Sequence, residues 1–232
     1  MTTTAKLVKL VSISQPVSKD FIEGSVAEDI VAYCARVSNP SNQTNFDTAG
    51  SLLEYCVKHK HWSIFEQVHL TMEINTTRDI ARQILRHRSF SFQEFSQRYA
   101  DPTQLGFTIR EARLQDKKNR QNSIETSDEE LQQTFIMKQE QIIHEARMAY
   151  KWAIDNGIAK EQARVFLPEG LTNSRLYVAG SLRSWIHFVQ VRADKSTQKE
   201  HRQIAEEAKS ILLVRFPSLH NVFEGDNDDY TA

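Results

Sequence analysis

The chain has 232 residues, 40% of them hydrophobic, and a formal net charge of -1, which predicts one domain with long insertions around one substantial core. A near-neutral surface offers no global attraction to nucleic acid or acidic membranes, so any anion binding must be local. No run approaches the roughly 18 apolar residues that span a bilayer.

The opening residues, MTTTAKLVKLVSIS, lack the apolar h-region of a signal peptide. Only Cys34 and Cys56 are present, each in helix-like apolar sequence. A disulfide framework is not expected, and the cytoplasm is the expected compartment.

Residues 7–13 predict a strand ending before Pro16. Ser25 and Glu28 then suggest a capping box for a helix burying Ile30, Val31 and Cys34, with Ser38-Asn39-Pro40 as its stop. A second helix is expected over residues 48–59. From 67 to 75, Val68, Leu70, Met72 and Ile74 alternate with polar residues, the period of a strand with one buried face. From 77 to about 88 the period turns helical. Ile80, Ala81, Ile84 and Leu85 share one side, while Arg78, Arg82 and Arg86 recur every four residues on another.

Residues 110–126 are polar and predict a surface loop containing the solvated run Lys117-Lys118-Asn119-Arg120. A long helix follows, with Ser127 and Glu130 as its cap. Leu131, Phe135, Ile142, Ala146, Ala149 and Ala153 form its apolar face, and Asn156-Gly157 its end. A strand over 176–180 should feed a helix over 181–192, in which Trp185, Phe188 and Val189 read as core. A last helix is expected from Thr197, with Glu200 completing its box, burying Ile204, Ala208, Ile211 and Leu212 before Pro217. Long helices with few strands and no regular alternation predict an α+β fold, one domain with a mixed or antiparallel sheet packed against several long helices. It should span residues 1–224, with an acidic, disordered tail over 225–232.

The two commonest glycine-rich phosphate cradles, GxGxxG and GxxxxGK[ST], are absent. A phosphate site would therefore be made of side chains, and residues 86–99, RHRSFSFQEFSQRY, are suited to one. Five arginines fall between Arg78 and Arg98 against two acids, Asp79 and Glu94. Arginine's planar fork matches phosphate and stacks on flat rings. His59, His61 and His69 fit no zinc spacing, so no metal is expected.

The pattern Arg86-His87-Arg88, then Ser91, Ser96 and Arg98, resembles the signature of the flavin-dependent thymidylate synthases, which methylate dUMP using methylenetetrahydrofolate, FAD and NADPH. Residues 61–66, HWSIFE, are similar to the family's His-x-Ser/Thr-x-x-Glu segment. Gln83 matches the glutamine three residues before the signature, Ala163 to Pro168 its Ala-Arg-x-x-Leu-Pro, and residues 184–200 its late helix.

The resemblance implies that Arg86, His87 and Arg88 hold FAD with Ser63, Glu94, Ser181, Leu182, Arg183 and His187, and that His61 lies near the flavin. It gives dUMP to Gln83, Arg86, Glu94, Phe95, Ser96, Gln97, Arg98 and Arg164, and makes Arg192 the activating residue against the uracil. It also implies a homotetramer with shared active sites. At 100° per residue, Arg192 points about 180° from Arg183, so either the helix end turns inward or different subunits present the two arginines. Gln67, Ser181 and Thr197 depart from the family's usual histidine, asparagine and alanine. A nucleic-acid-binding module using the Arg78 to Arg98 stripe is the competing reading, and a nucleotide-binding protein without turnover is a second.

Overall fold

The computed structural model describes residues 6–224. Its sheet has four strands in the order β1-β2-β6-β3, from β1 (Val8–Ile13), β2 (His69–Thr77), β3 (Ser91–Glu94) and β6 (Asn173–Ser181), every neighbouring pair antiparallel. The two central strands pair along their length with Leu70 opposite Gly180, Met72 opposite Val178 and Ile74 opposite Leu176. These alternate positions, together with Val68, are buried, as a strand with one wet face requires.

One large cluster makes up most of the core, and Tyr150, Ala153 and Ala163 form a small second one. The large cluster joins the sheet's inner face to α1 (Ala27–Ala35), α2 (Ala49–Lys58), α3 (Arg78–Ile84), α6 (Leu182–Arg192) and α7 (Lys199–Arg215). Trp185, Phe188 and Val189 lie in it, as expected, with Trp185 donating its indole N–H to the Leu70 carbonyl at 3.3 Å. Gly180 is required by close approach: a Cβ there would stand 2.3 Å from the Phe90 ring. The stretch after α3 thereby lies flat on β6, and β3 joins it as an edge strand.

Several expectations change. Helix α3 ends at Ile84, not near Arg88, because the chain turns through His87 N–H to the Ile84 carbonyl and Phe90 N–H to the His87 carbonyl, and residues 91–94 then become a strand. Residues 110–126 contain a small ribbon, β4 (Arg113–Gln115) against β5 (Ser123–Glu125), with the exposed 117–120 run at its tip.

The caps move because their side chains find other partners. The N-cap of α1 is Val26, whose N–H donates to Asp29 at 2.8 Å, while Glu28 instead accepts from Ser218. The long helix α4 (Glu129–Asp155) is capped by Asp128, not Ser127. Helix α7 begins at Lys199 after the N-cap Gln198, and Glu200 accepts from Arg113 instead of closing a box at Thr197. Ile211 is half-buried where full burial was expected, while His201 is wholly buried. A short α5 (Lys160–Ala163) and a terminal α8 (His220–Glu224) complete the helices; the tail from residue 225 lies outside the described residues.

Of the stripe expected, helix α4 buries only Ala146 and Ala153. Gln139, Ile143, Ala146, Tyr150 and Ala153 face inward, whereas Leu131, Phe135 and Ile142 are 38%, 41% and 50% exposed. The physical reason is that glutamine amides dock this helix. Gln139 bonds both the N–H and carbonyl of Arg110, and Gln132 those of Ala112, each as a strand would.

Candidate active site

Helix α6 follows β6 without a loop, and Ser181 caps it by accepting the Ser184 N–H at 3.3 Å. Because α6 is unbroken from Leu182 to Arg192, its two ends present arginines on opposite sides. The inward turn allowed as one alternative is absent up to Arg192.

At the far end, Arg192 is half-buried and its Nε–H donates to His87 Nε2 at 2.9 Å. Accepting there forces the neutral Nδ1–H tautomer on His87. The ring is packed by Phe188 at 5.1 Å and Phe90 at 6.3 Å, with His201 edge-on at 6.4 Å. Burial, then the charges of Arg192, His187 and Arg86, push the His87 pKa down to about 4. Burial and the Arg86 charge also pull the Arg192 guanidinium below its usual value, though arginine remains charged at any working pH.

On the outer face, Arg183 and His187 open into a cleft of about 680 Å³ with Trp62, Glu66, Ser89 and Gln190. Arg183 pairs with Glu66 at 3.1 Å. Ser63 and His61 are exposed in and beside the turn Trp62–Glu66, with the His61 ring 6.2 Å from Tyr55. Ser181 is buried in its capping role, and the Leu182 side chain lies in the core while its N–H donates to the Val68 carbonyl at 2.8 Å. Gln190, on the same side of α6 as Arg183 and His187, and Asp194, just past the helix end, also line the cleft and were not singled out in the sequence. The spacing of seven residues from Arg183 was the signal that marks Gln190; helical spacing does not reach Asp194.

The arginines in and around the signature divide into two kinds. Arg78 is closed by Glu94 at 3.2 Å, and Glu94 also accepts from Ser174 at 2.7 Å. Arg82 pairs with Glu169. Arg98 meets Glu161 at 3.1 Å, and Arg164 donates to the carbonyl of the same residue at 3.2 Å. Arg86 and Arg88 are exposed, with no salt bridge among the described residues. Three acids thus interrupt the cationic stripe a nucleic-acid backbone would need. Ser96 is exposed, Phe95 half-buried, and Gln97 buried with its Nε2 unpartnered. Gln83 is half-buried and bonded to Gln198 and His201.

Among the described residues no three of His, Cys, Asp and Glu gather to hold a metal. Cys34 and Cys56 are free, and burial pushes both thiols up.

Residues 22–218 match the family described as thymidylate synthase complementing protein. The chain is 48% identical to the flavin-dependent thymidylate synthase of Synechocystis sp. over 217 residues, which is 94% of this chain and 99% of that one. It is 47% identical over 212 residues to the probable flavin-dependent thymidylate synthase of Paramecium bursaria Chlorella virus 1, covering 91% and 95% of the two. The chain belongs to the flavin-dependent thymidylate synthase family. Its fold matches that of a UMP/dUMP methylase, PolB from Streptomyces cacaoi, crystallised with 5-Br dUMP, at a TM-score of 0.74 with 25% identity over 93% of each chain. As a member of this thymidylate synthase family the chain keeps the signature whole. Its departures take structural duties: Ser181 caps α6, and Thr197 donates to the Val191 carbonyl at 3.3 Å.

Proposed function

We propose that the chain methylates dUMP to dTMP, with methylenetetrahydrofolate as one-carbon donor and NADPH-reduced FAD as the hydride source. The observation that carries this reading is the Arg192–His87 pair built on the family signature. Methylation at C5 needs an electron-rich uracil. Arg192 would supply it, because a guanidinium held in a partly dry site favours the N3-deprotonated anion far more than it would in water. His87 occupies only the Nε–H of Arg192, leaving both terminal nitrogens for the pyrimidine. A cysteine nucleophile is not needed. Cys56 is buried, and burial raises both thiols, which disfavours the nucleophilic thiolate.

The residues fit a flavin dinucleotide. The cleft of about 680 Å³ carries Arg183 and His187 on one wall, and Arg86 and Arg88, with no salt bridge among the described residues, are cations suited to phosphate. Held there, a flavin would supply the hydride chemistry and take part in methylene transfer. On the nucleotide side, Arg98, Arg164 and Ser96 would grip the dUMP phosphate, which would compete with Glu161 for both arginines. Gln83, Glu94, Phe95 and Gln97 would line the rest.

The working assembly would be a homotetramer with shared sites. What supports it is an unpartnered apolar face on α4 and the turn after Arg164, where Trp152, Val165 and Phe166 are 58%, 79% and 41% exposed. No helix among the described residues is long and apolar enough to cross a membrane. Two free cysteines favour the cytoplasm, and residues 1–224 would form the catalytic unit.

The test is to purify the protein with added FAD, record its visible spectrum, and follow NADPH oxidation and dTMP formation with and without dUMP. A yellow protein forming dTMP only with dUMP is expected. A preparation that stays colourless and makes no thymidylate would sink the reading. Binding of both ligands without turnover would leave the nucleotide-binding alternative.

A further inference from the structure

Beneath the signature, five polar side chains form a line whose direction is dictated at one end. Arg113 Nη2 reaches both oxygens of Glu200, at 2.7 and 2.9 Å. The carboxylate offers only acceptors, so Gln198 turns its Nε2 to it, at 3.0 Å. That leaves the Gln198 oxygen facing Gln83, whose Nε2 donates to it at 2.8 Å. The Gln83 oxygen then faces His201 Nδ1 at 3.1 Å, which must carry the proton. His201 Nε2 is left as a bare lone pair, buried and without a partner. A flipped Gln83 would set oxygen against oxygen at Gln198, and the other His201 tautomer would set lone pair against lone pair at Gln83.

We propose that Glu200, acting through Gln198, and His201 together lock the Gln83 amide in a single orientation, so that it offers the pyrimidine nucleotide one fixed donor and one fixed acceptor. This rests on the reading above in which Gln83 contacts dUMP. One Nε2 hydrogen and one Oε1 lone pair remain for that contact. Glu200, Gln198 and His201 are positioning residues. Burial and the Arg192 charge push the His201 pKa to about 3, so its tautomer, not its charge, is the variable.

The decisive measurement is the 15N spectrum of the histidine-labelled, FAD-loaded protein, with His201 identified by its loss in His201→Leu or by elimination over the other histidines. The wild type should show His201 in the Nδ1–H form. Glu200→Gln, which can face Gln198 either way, should mix in the Nε2–H form and raise the KM for dUMP about tenfold, the worth of roughly one hydrogen bond, while kcat at saturation stays within about twofold. Gln198→Leu should do the same while leaving the Glu200 carboxylate paired with Arg113.

An Nε2–H tautomer in the wild type, an unchanged tautomer in both variants, or a changed tautomer with unchanged KM would each overturn the proposal. Should the wild type form no dTMP, the synthase reading fails on its own. The tautomer, together with dUMP affinity by calorimetry, still decides the lock.

Discussion

At the N-terminal end of α6, Arg183 stands half exposed in a salt bridge with Glu66; at the C-terminal end, Arg192 is half-buried and faces a histidine held neutral. The same side chain on the same helix is thus placed in two dielectric settings. In the first, water and a carboxylate screen the charge, and the group suits binding. In the second, no carboxylate among the described residues answers the charge, and the field remains available to whatever forms beside it.

Arg192→Ala should break the contrast most severely. dTMP formation should fall by about 10³-fold or more, as when a preorganised charge-stabilising donor is removed, with the flavin absorbance retained. Turnover close to wild type would remove Arg192 from the activating role.

Acidification addresses the neutral histidines. His87 and His201, with folded pKa values of about 4 and 3, sit below the ordinary value of 6.5. The unfolded chain therefore binds protons first as pH falls, so stability is full above about 6.5 and is lost through the window down to 3–4. Between pH 7.5 and 5 each should cost about 2 kcal/mol. Denaturant melts of wild type against His201→Leu should show roughly half of this pH dependence gone in the variant. Parallel curves would mean that His201 is not held neutral.

Removing the acceptor under Arg192 probes the pair itself. His87→Leu should lower kcat/KM by about 10- to 100-fold, the worth of a hydrogen bond to a charged group, and His87→Gln should recover part of it. Equal losses in the two variants would argue for packing alone. At the outer end, Glu66→Gln should shift stability by less than about 1 kcal/mol, because an exposed ion pair gains little over hydrated partners. A larger loss would mean that the two ends of α6 are more alike than their burial indicates.

Much of this was legible in the sequence wherever a local rule had no rival. The alternation through Val68, Leu70, Met72 and Ile74 became a buried face. The spacing of Arg183 and Arg192 set them on opposite sides of one helix, and Gly157 ended α4 in a left-handed turn at φ 77°. Caps were less legible, since a carboxylate three residues after a serine or threonine also serves any nearby donor, as Glu28 does for Ser218 and Glu200 for Arg113. The α4 stripe held at Ala146 and Ala153 but not at Leu131, Phe135 and Ile142, for a related reason: periodicity marks an apolar face without saying what covers it.

By itself the sequence determined the chemistry on offer: the Arg-His-Arg signature, the period of the elements, and the absence of a glycine phosphate cradle. Folding decided which of those charges are neutralised, which histidines lose their protons, and which amides are locked. Those properties depend on desolvation and on partners a hundred residues away, and neither is written in local spacing.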